Sequence, residues 1–114
     1  MSMLLKPRRL DDVVLLDISG RITIGEGTVV IRETIRRLLD AGDRKFILNL
    51  SDCDYIDSSG LGELVTTFTT VRNAGGELKL LNLTNRVHDL LQITKLLTVF
   101  ESFESEAEAV KSMK

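Results

Sequence analysis

Cysteine, proline and histidine occur once each in this chain of 114 residues. A lone Cys53 cannot close an internal disulfide, so no covalent staple is available to the fold. It has neither a basic neighbour nor a histidine close in sequence, and small buried cysteines are common, so Cys53 reads as structural. His88 has no second histidine with which to build a metal site or a catalytic pair, and its place between Val87 and Asp89 reads as helix surface. No apolar stretch is long enough for a signal peptide or a membrane span, which leads to the expectation of a cytoplasmic protein. A basic run is missing as well. With a formal net charge of −2 and no cluster of Lys and Arg, the chain lacks what direct nucleic-acid binding requires. Gly60-Leu61-Gly62 fails as a dinucleotide fingerprint because position 65 is Val, and Gly-x-Ser-x-Gly does not occur.

What is there suits one domain over residues 1–114: hydrophobic residues make up 43%, enough for a single core. Residues 3–9 and 13–19 flank Leu10-Asp11-Asp12 and predict an antiparallel hairpin, with Pro7 placing the first strand at a sheet edge. Gly20 is expected to end the second strand, and residues 21–27 to form a loop pivoting on Gly25 and Gly27. Ile31, Ile35, Leu38 and Leu39 then mark a helix over residues 28–41, with Gly42 at its left-handed stop. Its arginines Arg32, Arg36 and Arg37, interleaved with Glu33 and Asp40, read as a solvated face rather than an anion site.

After the central stretch, Asn73-Ala74-Gly75-Gly76 stops a second helix and residues 77–83 begin with strand alternation. Thr84 caps a short helix carrying Val87, Leu90 and Leu91. A strand is expected over residues 96–100 and a last helix over residues 105–113. The order β-β-α-β-α-β-α-β-α predicts an α/β fold: a mostly parallel sheet, an N-terminal antiparallel edge hairpin and about four helices.

Residues 45–62 carry most of the functional information. Lys45-Phe46-Ile47-Leu48-Asn49-Leu50 reads as a strand buried on both faces. Leu61, Leu64, Val65, Phe68 and Val71 recur at helical spacing, which sets Asp57-Ser58-Ser59-Gly60 at a helix N-terminus. The stripe must supply most of that helix's stability, since Thr66, Thr67, Thr69 and Thr70 are mediocre helix formers expected to be exposed. Ser58 has two readings that do not exclude each other. It can cap the helix through its hydroxyl, or accept a phosphoryl group where free N–H groups and the helix dipole tolerate added anionic charge. As a catalytic nucleophile, Ser58 or Ser59 lacks an activating base, so no catalytic residue, metal ligand or cofactor site is assigned.

The pattern Asn49-Leu50, Tyr55-Ile56-Asp57-Ser58-Ser59-Gly60-Leu61-Gly62 and residues 73–80 closely resembles the anti-sigma factor antagonists of the STAS domain family. The resemblance extends to Gly20 and residues 86–100. It implies the STAS fold and phosphorylation of Ser58 by a partner kinase. It further implies a partner switch in which the unphosphorylated protein binds an anti-sigma factor serine kinase and a serine phosphatase resets the cycle. Asp57, Ser58, Ser59, Gly60, Leu61 and Gly62 would then form the partner-binding surface with the loop holding Arg21 and Thr23. At those two loop positions the family often carries acidic residues, so this chain departs from it there. The alternative is a STAS docking subunit of a transport or signalling complex without a phosphorylation cycle.

Overall fold

The computed structural model describes residues 3–114. The chain runs β1 (Met3–Leu10), β2 (Val13–Ile22), α1 (Glu26–Asp40), β3 (Lys45–Ile56) and α2 (Ser58–Asn73). It continues as β4 (Glu77–Leu81), α3 (Asn85–Ile93), β5 (Ser102–Phe103) and α4 (Glu106–Lys111). The sheet order is β1-β2-β3-β4-β5, with β1 antiparallel to β2 and the remaining pairs parallel. This is the expected α/β architecture. Asp11 makes the hairpin turn at φ 55, a left-handed conformation that Asp tolerates, and Pro7 lies on the edge strand where a missing N–H does least harm.

Side chains alternate between two cores. Val14, Leu16 and Ile18 of β2 and Phe46, Leu48 and Leu50 of β3 pack under α1, α2 and α3, meeting Ile31, Ile35, Leu61, Leu64, Val71, Val87 and Leu91. Val13, Leu15 and Ile47 face the other way onto Ala109 and Val110 of α4 and onto Met113. A strand buried on both sides thus reads as one continuous apolar run, and the pleat divides it.

Asn49 interrupts that run for a reason. Its amide donates to Asp17 Oδ1 at 2.9 Å, and its carbonyl oxygen accepts from Asn82 Nδ2 at 3.3 Å and from the Ser51 N–H at 3.2 Å. Arg8 closes the network by donating from Nη2 to Asp17 Oδ1 at 3.0 Å, while also reaching Glu106 of α4 at 2.8 Å. The Arg8 guanidinium, helped by the Asn49 amide, holds the Asp17 carboxyl below the usual carboxylate range despite partial burial.

Four local expectations are corrected. Gly20 does not end β2: at φ 96 it lies beside a register shift in the β2–β3 ladder, and the strand continues to Ile22. Strand β3 likewise runs on from Leu50 to Ile56, pairing there with β2 alone because the β4 ladder stops at Asn49 and Leu81. Residues 96–100 form turns rather than a strand. Lys95 takes φ 63, the Leu96 N–H returns to Leu91 O at 2.8 Å, and Phe100 inserts edge-on against Phe68 with centroids 5.3 Å apart. The last strand is the two-residue β5. Finally, Thr67 is buried rather than exposed, its hydroxyl donating to Glu63 at 3.1 Å.

Gly60, in the first turn of α2, abuts the end of β2 so closely that an added Cβ would lie 2.1 Å from the Ile22 carbonyl oxygen, whereas at Gly62 it would meet nothing within 4 Å. Gly60→Ala is expected to destabilise by about 2–3 kcal/mol in urea unfolding, and Gly62→Ala to be neutral or stabilising by up to about 1 kcal/mol. Equal effects of the two would contradict this contact. The Asp17 carboxylate predicts an acid response. Its folded pKa is depressed, so its stabilisation is present above the unfolded value near 4 and is lost as pH falls through the lower folded value. Thermal melts from pH 7 to 2 should show a shallower acid decline for Asp17→Asn than for wild type, and an identical decline would remove Asp17 from the account.

Candidate functional site

The site forms at the C-terminal ends of β2 and β3, where the chain leaves the sheet twice in succession. Asp57 stands between β3 and α2 in extended backbone, φ −98 and ψ −177. One carboxylate oxygen accepts from the Gly60 N–H at 2.7 Å, and the other accepts from the Ile24 N–H at 3.2 Å, in the loop between β2 and α1. The Asp57 N–H donates to Ile22 O at 3.3 Å, and its own carbonyl accepts the first helical bond from Leu61 at 2.9 Å. A single residue thereby caps α2 and ties both loops together.

This corrects the reading of Ser58 as the cap. Asp57 fills that role, and Ser58 is the first helical residue. Ser58 and Ser59 are both exposed, and the Ser58 hydroxyl makes no hydrogen bond among the described residues. Of the other residues named from sequence, Arg21 and Gly62 are exposed, Thr23 and Asp57 are half-buried, and Gly60 and Leu61 are buried. The same end of the sheet thus carries all of them, with Leu61 turned into the core under α2.

The first turn of α2 holds no acidic residue beyond the cap. Glu63, the next carboxylate, is only 7% exposed, and it is occupied by Arg32 of α1 at 3.0 Å and by Thr67. Arg32 is therefore a bridge between α1 and α2 rather than part of a purely solvated face. Cys53 is buried, and that burial pushes its thiol pKa up, away from reactivity. Among the described residues no group of three His, Cys, Asp or Glu side chains could hold a metal ion, and no helix is long and apolar enough to cross a membrane.

Three exposed residues near the site were given no role from sequence. Ile24 is 74% exposed on the loop whose N–H bonds Asp57, and an isoleucine isolated in a Gly- and Thr-containing loop was a signal for it. Tyr55 is 37% exposed on β3, with the guanidinium carbons of Arg21 and Arg86 at 5.9 and 5.5 Å from its ring centroid. Nothing in the sequence connects Arg86 with Tyr55, since α3 brings it there from 31 positions away.

Comparison with known proteins agrees with this geometry. The STAS domain model matches residues 5–109. The anti-sigma-B factor antagonist of Bacillus subtilis is 38% identical over 88 residues, covering 77% of this chain and 79% of that protein. The crystal structure of the Thermotoga maritima protein TM1081 superposes with a TM-score of 0.87 at 26% identity, over 96% of this chain and 93% of that one. The anti-sigma factor antagonist SpoIIAA in its unphosphorylated form gives 0.80 over 96% and 95%, at 21% identity, a likeness of fold. A family match over nearly the whole length, on a sheet and helix order shared with these structures, means that the chain belongs to the STAS domain family.

Proposed function

We propose that this protein is an anti-sigma factor antagonist that acts by partner switching, with Ser58 as the phosphoacceptor. The observation that carries the proposal is the Ser58 hydroxyl, which is exposed, free of hydrogen bonds among the described residues, and set at the first position of α2 behind a cap already supplied by Asp57. Unphosphorylated, the protein binds an anti-sigma factor that is itself a serine kinase, and the sigma factor is released. The kinase then moves a phosphoryl group from ATP to Ser58 Oγ, and a serine phosphatase hydrolyses it to reset the cycle. The Bacillus subtilis relative, an anti-sigma-B factor antagonist, supports the output, and the free serine supports the switch.

The docking surface in this reading is the start of α2, the end of β2 with Arg21, the loop from β2 to α1 with Thr23 and exposed Ile24, and the outward face of α2. Ser58 lies inside that footprint. A phosphate there adds about −1.5 to −2 charges beside the Asp57 carboxylate. In a desolvated interface, an unpaired charge of this kind costs several kcal/mol, on the order of a thousandfold in affinity. The helix dipole tolerates the same charge in the free protein, so binding is lost and the fold is kept. No metal or cofactor is asked of this chain, whose part in the transfer is to present the Ser58 hydroxyl to the kinase.

Two measurements test the proposal. A cognate anti-sigma factor kinase should label wild type and Ser59→Ala but leave Ser58→Ala unlabelled, as read by phosphopeptide mass spectrometry. Label retained on Ser58→Ala would sink the assignment. Ser58→Asp brings only one charge and a smaller group, so it should weaken the complex by about 1–3 kcal/mol with an unchanged melting temperature. Affinity equal to wild type in a folded Ser58→Asp protein would move the reading to a docking subunit without a phosphorylation cycle.

A further inference from the structure

Arg21 and Arg86 converge on one ring from two elements. Arg21 stands opposite Tyr55 in the β2–β3 ladder, and Arg86 lies in the first turn of α3, which has no acidic residue. Both guanidinium groups are within cation–π reach of Tyr55, at 5.9 and 5.5 Å. Neither forms an ion pair among the described residues, which they share with Arg36, Arg37, Arg44 and Arg72; what sets them apart is that both meet on one ring. Asp52 and Asp54, exposed on the same strand, reach neither of them. Two like charges are thus gathered on one aromatic, and one of them sits at a helix N-terminus, where a cation is electrostatically misplaced. An anion bound by these guanidinium groups would relieve both penalties.

We propose that Arg21, Tyr55 and Arg86 form a carboxylate clamp, so that the protein partner presents an Asp or Glu side chain to this edge of the site. Planar guanidinium groups accept a carboxylate with two parallel hydrogen bonds, and Tyr and Arg dominate the energetics of interfaces. The cation–π contacts with Tyr55 hold both side chains near the ring before binding and so reduce the entropy lost on docking. Tyr55 is two residues ahead of Asp57, which places the clamp at the rim of the Ser58 surface. The clamp rests on the partner-docking reading for the position of the partner, and is independent of phosphorylation.

The first test needs no partner. The full isotope-labelled chain is titrated with acetyl-tetraglutamate amide and with acetyl-tetraglutamine amide while its nitrogen–proton correlations are followed. The Nε–Hε signals of Arg21 and Arg86 and the amide of Tyr55 should shift with the first peptide only, and an Arg21→Gln/Arg86→Gln protein should show no such response at Tyr55. Unmoved signals with tetraglutamate overturn the clamp, whatever becomes of the partner reading. The second test uses the purified anti-sigma factor kinase. Arg21→Glu and Arg86→Glu should each weaken binding about tenfold or more, increasingly at low salt, while Lys111→Glu on α4 stays within about twofold and all variants melt as wild type does. Full affinity in both arginine variants alongside weakened Ser58→Asp overturns the clamp and leaves the switch. Weakened arginine variants alongside full-affinity Ser58→Asp keep the clamp and overturn the switch.

Discussion

The close approach of α2 to the end of β2 is the contact on which the rest of the site depends. Gly60 lies against the Ile22 carbonyl with no room for a side chain, and the Asp57 carboxylate bonds the Gly60 and Ile24 N–H groups at once. Sterics fix how near the helix comes, and the carboxylate fixes how the two loops face each other. Neither would suffice alone, since a glycine without the clamp leaves a flexible start, and a clamp without the glycine could not close. The exposed residues of the site inherit their positions from this pair. Ile24 stands out because its own N–H is held, and Ser58 stands out because the residue before it is held.

Much of this arrangement was legible in the sequence. Strongly patterned segments were read with the right type and order, because the run of strand formers in β2 and the Leu61, Leu64, Phe68 stripe of α2 reflect burial directly. The errors share a cause. Gly20 and the residues beyond Leu50 looked like strand ends because glycine and polar residues usually punctuate, but here a bulge and a strand overhang use them inside the ladder. Residues 96–100 looked like a strand because an apolar run of that length carries no information about what it packs against, and Phe100 proved to plug the space beside Phe68. Contacts between distant segments were invisible for the same reason: Arg32 with Glu63, Arg8 with Asp17 and Glu106, and Arg86 with Tyr55 all depend on topology rather than spacing.

The polar residues divide into those the fold consumes and those it leaves over. Asn49, Asp17 and Asn82 are bound to one another within the sheet, Glu63 is closed by Arg32 and Thr67, and Asp57 spends both oxygens on backbone N–H groups. Interrupting any of these would leave a partly buried polar group without its partner, so their chemistry is committed to structure. Ser58, Ser59, Arg21 and Arg86 are different, since their removal breaks no hydrogen bond or ion pair among the described residues. Residues that the fold does not need, gathered at the C-terminal end of a parallel sheet, are where function has freedom to act.

The division between Asp57 and Ser58 also means that the proposed switch at Ser58 needs no conformational change. If Ser58 were the cap, its oxygen would accept from a backbone N–H, and a phosphoryl group on it would alter the bond that starts the helix. With Asp57 doing the capping, the Ser58 oxygen carries no structural bond, and a group attached to it projects from a helix start that is already fixed. On the proposed reading the free protein keeps the same backbone with or without the phosphoryl group, and the helix dipole favours the added charge. What the proposed modification changes is only the field met by a partner that buries this surface, next to the Asp57 carboxyl group. The proposed switch therefore acts through charge alone: a partner that closes over the helix start would bury the phosphate beside the Asp57 carboxylate, away from the solvent that would otherwise screen the two.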